Sequence, residues 1–506
     1  MSDKEIAEKP ALEQTEFAES KPLVAPERAE YEALCEKFDE QRRKKLLRKI
    51  DLRLMPILTL LYLVSYMDRT NIGNARLLGL ETDLGLSPQQ YNWALTIFFF
   101  PYSFFEVPAN LMLKFLRPSL WLSLIMLFWG ITMMCMGWTQ NYAGILAARF
   151  FLGVAEAGLF PGATYITTTW YRKNELQVRV AAFYCAASLA GSFSGLLAYG
   201  IGFMDGIRGY HGWRWIFILE GLLTICVATA SYFLISDTPQ EVKWLTDEEK
   251  RYYVKQAFTD SKCYVSISNY SFRVSRIIPR ELTSHAQLGA FMFFVVACGT
   301  YAISFSLPTV INQLGYTAAN AQLLTIPVYV YACIITLVNA LSADHFMIRF
   351  PHVVVPLCSS LTGFVIALTV SPIEKPGVVY FSMFLIAGGL FPNTPAFVAW
   401  LSNNLAGQWK RAAGMALEFT IGNCLGGVIG SNIFLAREKP FYRTAYIFEI
   451  SITCAGMVTA VLQAFLLWRT NTKRVEQVRK AEEEGRDLDA EFKDEGDKNP
   501  YFKYTL

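Results

Sequence analysis

Several chemical engines are missing from this chain. There is no GxxxxGK[ST] loop to cradle a nucleotide phosphate, so an ATP-driven motor is excluded. No HExxH occurs, and the four histidines are scattered, so no metal centre is indicated. The ten cysteines form no CxxC pair, and most sit singly inside apolar runs, where they read as small packing residues. No TVGYG-like filter and no row of arginines on one helix suggests a channel or voltage sensor. Charge is also scarce: only 18% of residues are charged and the net charge is +3, which points to no nucleic-acid partner. No nucleophile–base constellation stands out, so the chain is expected not to be an enzyme, with no catalytic residues, no metal and no cofactor. The first twenty residues are polar and acidic, and lack the basic and apolar regions of a cleaved signal peptide.

What is abundant is apolar length. With 53% hydrophobic residues and a mean hydropathy of +0.28, the chain breaks into many runs of about 20 residues, enough to span ~30 Å of hydrocarbon. The expected fold is therefore an all-α polytopic membrane protein. Twelve spans are predicted at 54–73, 92–114, 120–138, 142–170, 178–202, 214–236, 286–311, 320–341, 352–371, 377–399, 409–433 and 443–468. Residues 1–45 form a disordered tail, 46–236 a first six-helix bundle, 237–285 a linker, 286–468 a second six-helix bundle and 469–506 a second tail. Seven basic residues between Arg42 and Arg53 place the N-terminus in the cytoplasm, and twelve crossings return the C-terminus there. Within the linker, Thr246-x-x-Glu249 is a capping box that opens an amphipathic helix. Arg273, Arg276 and Arg280 follow, and the Asn269-Tyr270-Ser271 sequon just before them is expected to stay unmodified on the cytoplasmic side. Six spans, a linker and six more is the plan of transporters with two parallel halves.

Tyr142–Tyr171 is long enough to cross a bilayer, yet carries Arg149 and Glu156 within its apolar run. Seven residues is almost two helical turns, so both lie near one face, roughly 10 Å apart along the axis. A charge at membrane depth costs at least ~2.5–3.5 kcal/mol, so such groups face a bundle interior or a watery path. A structural ion pair is the plainer use, and an anion-binding Arg149 with a proton-carrying Glu156 the sharper one. The first span ends SYMDRTNIGNA, which puts Asp68 ~22 Å along its helix, level with Arg149 by independent count. Asp68, Arg69, Arg149 and Glu156 are thus expected to converge on one cavity. A guanidinium keeps its charge and grips a carboxylate with two hydrogen bonds, while a carboxylate can exchange protons. Glu106, Glu220, Glu418 and Asn423 are expected in gating or structural roles. Tyr102, Tyr301, Tyr329, Asn393 and Trp400 are candidates for lining a pocket. The glycine-rich fifth and eleventh spans read as close-packing surfaces.

SYMDRTNIGNA, FEVPANLMLKF, ARFFLGVAEAGLFPGATYITTTWY, GWRWIFILEG, WLSNNLAGQWKRA and the ending NPYFKYTL together resemble the major facilitator superfamily. Within it, the chain is similar to the anion:cation symporter family and its fungal allantoate permease-like branch. The resemblance implies two pseudo-symmetric six-helix bundles rocking about a central site, and proton-coupled uptake of small organic anions. It further implies that Asp68 and Glu156 carry protons and that Arg69 contacts the substrate; Arg149, Tyr102, Tyr301 and Asn393 are the further substrate-binding candidates read from the residues themselves. The superfamily's GxxxD(R/K) signature is departed from: Glu106-Val-Pro-Ala-Asn110 stands in its place. The branch handles nicotinate, allantoate, vitamins and dipeptides, which makes a nicotinate-like carboxylate the expected substrate of a monomeric, multi-pass plasma-membrane protein, with a vacuolar membrane as the alternative. The proton gradient is the only energy source invoked. Proton-driven efflux and a non-transporting nutrient receptor are the rival functions.

Overall fold

The computed structural model describes residues 40–113, 115–171, 173–260, 284–346, 348–405, 408–484 and 500–505, whose regular secondary structure is helical with no strand among them. The first half comprises α1 (Glu40–Leu77), α2 (Pro88–Thr96), α3 (Phe99–Met112), α4 (Pro118–Met136), α5 (Tyr142–Glu156), α6 (Leu159–Trp170), α7 (Lys173–Gly202) and α8 (Gly212–Leu234). The linker holds α9 (Asp247–Asp260). The second half comprises α10 (Ser284–Gln313), α11 (Ala318–Phe346), α12 (Phe350–Thr369), α13 (Pro376–Leu390), α14 (Asn393–Asn404), α15 (Gln408–Gly430) and α16 (Arg443–Glu483).

Among the described residues, ten segments are long and apolar enough to cross a membrane, against twelve expected spans. The other two are helical as well. The 92–114 span is split into α2 and α3 by a turn at Ile97–Phe98. α15 spans 23 residues and carries five glycines and Glu418. Two further spans break near their middle. The 142–170 span divides at Ala157–Gly158 into α5 and α6, and the 377–399 span divides at Phe391–Pro392 into α13 and α14. Proline has no N–H to continue the ladder, and the Asn393 side chain donates to the Gly389 carbonyl at the break (2.7 Å).

Local signals explain several helix starts. Ser87 and Gln90 form a capping box for α2, and Asn141 caps α5 by accepting from the Gly144 N–H (2.8 Å). The predicted box in the linker is present: Thr246 N–H donates to Glu249 (2.9 Å) and Glu249 N–H to Thr246 (3.3 Å). The ends differ from expectation in two places. Residues 40–45, expected in a disordered tail, are the first turns of α1. The last helix runs on to Glu483, well past 468, where Arg479 pairs with Glu476 and Glu483 one turn to either side. Asn269, Arg273, Arg276 and Arg280 lie outside the described residues.

The linker folds back on the first half. Trp244 stacks on Trp170 (5.6 Å, 12° between planes), and Lys49 pairs with Glu249 (2.8 Å). Partial burial alone would raise the Glu249 carboxyl, but hydrogen bonds from Lys49 and Thr246 outweigh it and hold the group below the usual carboxylate range. We call this side the linker face and the opposite side the far face.

The halves meet along α7 and α11, α1 and α10, and α3 and α15, and α14 also reaches α7. Toward the far face the joint is tight. Thr96 bonds Ser431 (2.9 Å) and Asn432 donates to Thr96 (2.7 Å). Gly73 sits so near the Phe305 backbone that an added Cβ would lie 2.9 Å from its carbonyl oxygen. Gly191 and Gly195 of the fifth span lie against Tyr329 and Thr325 of the opposite half, so these glycines do serve as close-packing surfaces.

Candidate functional site

α1 supplies the core of the site through helical spacing. Tyr62, Ser65, Tyr66 and Arg69 fall at i, i+3, i+4 and i+7, so one face carries them all toward a cavity between the two halves. Glu156, the last residue of α5, enters the same cavity where its helix breaks. Arg69 and Glu156 form a buried ion pair, and Ser65 donates to the same carboxylate oxygen (2.5 Å). The guanidinium also donates to the Tyr301 hydroxyl of α10 (2.9 Å), which in turn donates to Asn423 of α15 (3.0 Å). One hydrogen-bonded chain therefore runs Ser65–Glu156–Arg69–Tyr301–Asn423 and crosses from one half to the other.

The charge of Arg69 sits among aromatic faces. Its guanidinium carbon lies 5.0 Å from the Tyr102 ring centroid, 5.2 Å from Phe98 and 5.8 Å from Tyr66. These rings stabilise a cation without neutralising it, and desolvation strengthens that attraction. Its Nε is buried without a hydrogen-bond partner among the described residues. Two aromatic layers bound the hollow. Phe99 packs edge-on against Tyr301 on the far-face side (4.9 Å). On the linker side, Phe160 of the first half meets Phe419 of the second (4.9 Å), and Phe293 backs Phe419 (5.3 Å).

The four expected charged groups are not all brought together. Arg69 and Glu156 line the cavity, as do Tyr102, Tyr301 and Asn423, whereas Asp68 and Arg149 do not. Neighbouring helical residues point about 100° apart, so Asp68 faces away from Arg69 and accepts from Thr224 of α8 (2.8 Å). Asn71 and Asn74 lie on that same side of α1. Asn74 donates to Ser194 (2.7 Å), Ser194 to Asn71 (2.7 Å), and Asn71 to Glu220. SYMDRTNIGNA thus serves two surfaces, a cavity lining and a polar seam inside the first half. Arg149 is 1% exposed and two turns nearer the far face than Glu156; its Nε and Nη2 have no hydrogen-bond partner among the described residues.

The remaining candidates have other surroundings. Asn393 holds the α13–α14 break, and its neighbour Thr394 lines the cavity instead. Tyr329 packs on Phe391 (5.8 Å), and Trp400 donates to the Thr505 carbonyl (3.0 Å). Glu106 is buried with one oxygen unpartnered, and Glu418 is fully buried with both unpartnered among the described residues. Ser65, Tyr62, Tyr66, Tyr184, Thr300 and Thr394 were not anticipated. The 3–4–7 spacing to Arg69 is the signal that marks the first three.

A cavity between two helical halves, lined by an ion pair from one and hydroxyl and amide groups from the other, is the architecture of a secondary transporter. The sequence comparisons agree: residues 58–431 match the family model described as the Major Facilitator Superfamily, and the chain belongs to that superfamily and to its fungal branch. It is 37% identical over 479 residues to the MFS-type transporter cnsO of Penicillium expansum, covering 93% of this chain and 92% of that one. It is 28% identical to the high-affinity nicotinic acid transporter of Saccharomyces cerevisiae, covering 91% of this chain and 84% of that one. Among solved structures, a D-xylose–proton symporter superposes with a TM-score of 0.60 at 15% identity, over 81% of this chain and 97% of that one, a likeness of fold.

Proposed function

We propose that this transporter carries a small organic anion, a monocarboxylate of the nicotinate type, into the cell together with protons. The observation that carries this reading is the buried Arg69–Glu156 pair, tied through Tyr301 to the opposite half. A protonated Glu156 no longer holds the guanidinium, and a substrate carboxylate takes its place with the same planar, charge-assisted hydrogen bonds. Proton and anion then enter as a neutral load. That cancels the ~2.3 kcal/mol per 100 mV that a lone anion meets against a negative interior. The likeness to a nicotinic acid transporter supports a carboxylate substrate. Tyr102 and Asn423 position the ligand, while Arg149 and Asp68 set the electrostatics from outside the cavity. The linker face is cytoplasmic in this reading, with both tails on that side and the protein in the plasma membrane.

The test is uptake of labelled nicotinate and related monocarboxylates at pH 5 and pH 7.5, in cells lacking endogenous permeases. Accumulation that rises at low pH and collapses with a protonophore is the expected result. Export of the label, or uptake of uncharged analogues only, would overturn the proposal.

A further inference from the structure

The segment Pro500–Thr505 does not hang free but lies, without helix, against the linker-face ends of α14 and α16. Two side-chain amides hold its backbone in the same way. Asn404 accepts from the Thr505 N–H (2.8 Å) and donates to the Thr505 carbonyl (3.0 Å). Asn471 accepts from the Tyr504 N–H (2.9 Å) and donates to the Tyr504 carbonyl (2.9 Å). Each amide satisfies both backbone groups of one residue, as a neighbouring β-strand would. Arg474 donates to the Phe502 carbonyl (2.5 Å), and its guanidinium covers the buried Tyr504 ring at 4.3 Å. Trp400 and Asn404 are themselves 0% and 1% exposed, so the segment supplies partners to polar groups that no water reaches.

α14 connects this contact to the cavity. Its first turn brings Thr394 into the lining and its last turn ends at Asn404, on a helix only ~18 Å long. The break at Phe391–Pro392 separates it from α13, and it touches α7 of the other half. We propose that Trp400, Asn404, Asn471 and Arg474 form a peptide-binding site whose occupant is this chain's own segment 500–505. Its occupancy sets how freely α14 swings at the linker-side exit of the cavity. Asn471 and Arg474 stand on α16, so the segment straps α14 to a different crossing.

Hydrogen exchange read by mass spectrometry on the full chain in lipid nanodiscs tests this without any substrate. Three proteins are compared: the natural chain, Asn471→Ala, and a chain lacking residues 500–506. Exchange across 393–404 is expected to rise by about tenfold in both variants, while 376–390 and the first half stay unchanged. Adding the synthetic peptide NPYFKYTL to the shortened chain should restore protection. Because Asn471 reaches the segment from α16, its effect on α14 must travel through the strap. Faster exchange confined to 500–505, or a peptide that restores nothing, would overturn the proposal. Should the shortened chain fail to fold, Asn471→Ala and Tyr504→Ala give the same reading on their own.

Discussion

The membrane helices of the first half hold Arg69, Arg149, Asp68, Glu106, Glu156 and Glu220, all buried. Among the described residues, those of the second half bury Glu418 and Glu449 within the crossings, while its buried arginines, Arg349 and Arg474, sit at the linker-face ends. The cavity repeats this division: its one ion pair comes from the first half, and the second half faces it with Tyr301, Asn423 and Thr394. The difference teaches that one half supplies the charge and the other reads it through neutral hydrogen-bonding groups. In the proposed transport cycle, rocking one half against the other would change the Arg69–Tyr301 contact without separating two opposite charges, which would be far more costly.

The comparison can be broken from its strongest side first. Arg69→Ala leaves Glu156 buried with Ser65 in place of a cation, a loss of about 3–5 kcal/mol for a severed buried pair. Uptake should fall more than a hundredfold at matched surface levels, and normal transport would end the assignment. Glu156→Gln is expected to keep substrate exchange between the two sides but to abolish the rise in uptake at low pH, measured as counterflow against net accumulation. Tyr301→Phe removes the one hydroxyl that joins the halves through Arg69. A hydrogen bond to a charged group is worth about 1.5–3 kcal/mol, so KM should rise with surface expression unchanged. Asp68→Asn keeps an acceptor for Thr224 and tests whether a carboxylate outside the cavity matters: a weaker pH dependence with an unchanged KM is the expected pattern.

The smallest effect belongs to the linker. Glu249→Gln removes a partly exposed ion pair with Lys49, worth about 1 kcal/mol or less. Since the Glu249 carboxyl is held below its ordinary range, its contribution is present above that range and fades as the pH falls through the lowered value. Thermal unfolding at neutral and at acid pH should show the variant's deficit only at neutral pH.

Much of the plan was legible because hydropathy and helical period are local properties. The crossings and the capping box at Thr246 follow from runs and spacings within single helices, whereas the expected convergence of Asp68, Arg69, Arg149 and Glu156 is met at the cavity by Arg69 and Glu156 alone. What was not legible was direction around an axis when several polar residues crowd one motif. Asp68 and Arg69 are adjacent in sequence, and only the neighbours contributed by α8 and α10 decide which of them meets the cavity. The breaks at Ala157–Gly158 and Phe391–Pro392 stand beside Glu156 and Pro392-Asn393, local signals that a count of apolar length passes over. The strap at 500–505 lies within the NPYFKYTL motif, but its binding depends on amides far away in sequence, which the motif does not reveal.

Gly73 carries a practical consequence. Its bare Cα lets the first helix of one half rest on the Phe305 backbone of the other, with no room for a methyl group. A side chain introduced there would act as a doorstop, wedging the far-face joint ajar while leaving every charge in place. Gly73→Ala or Gly73→Val would therefore bias the resting population toward a single open form, a handle for trapping one half of the transport cycle.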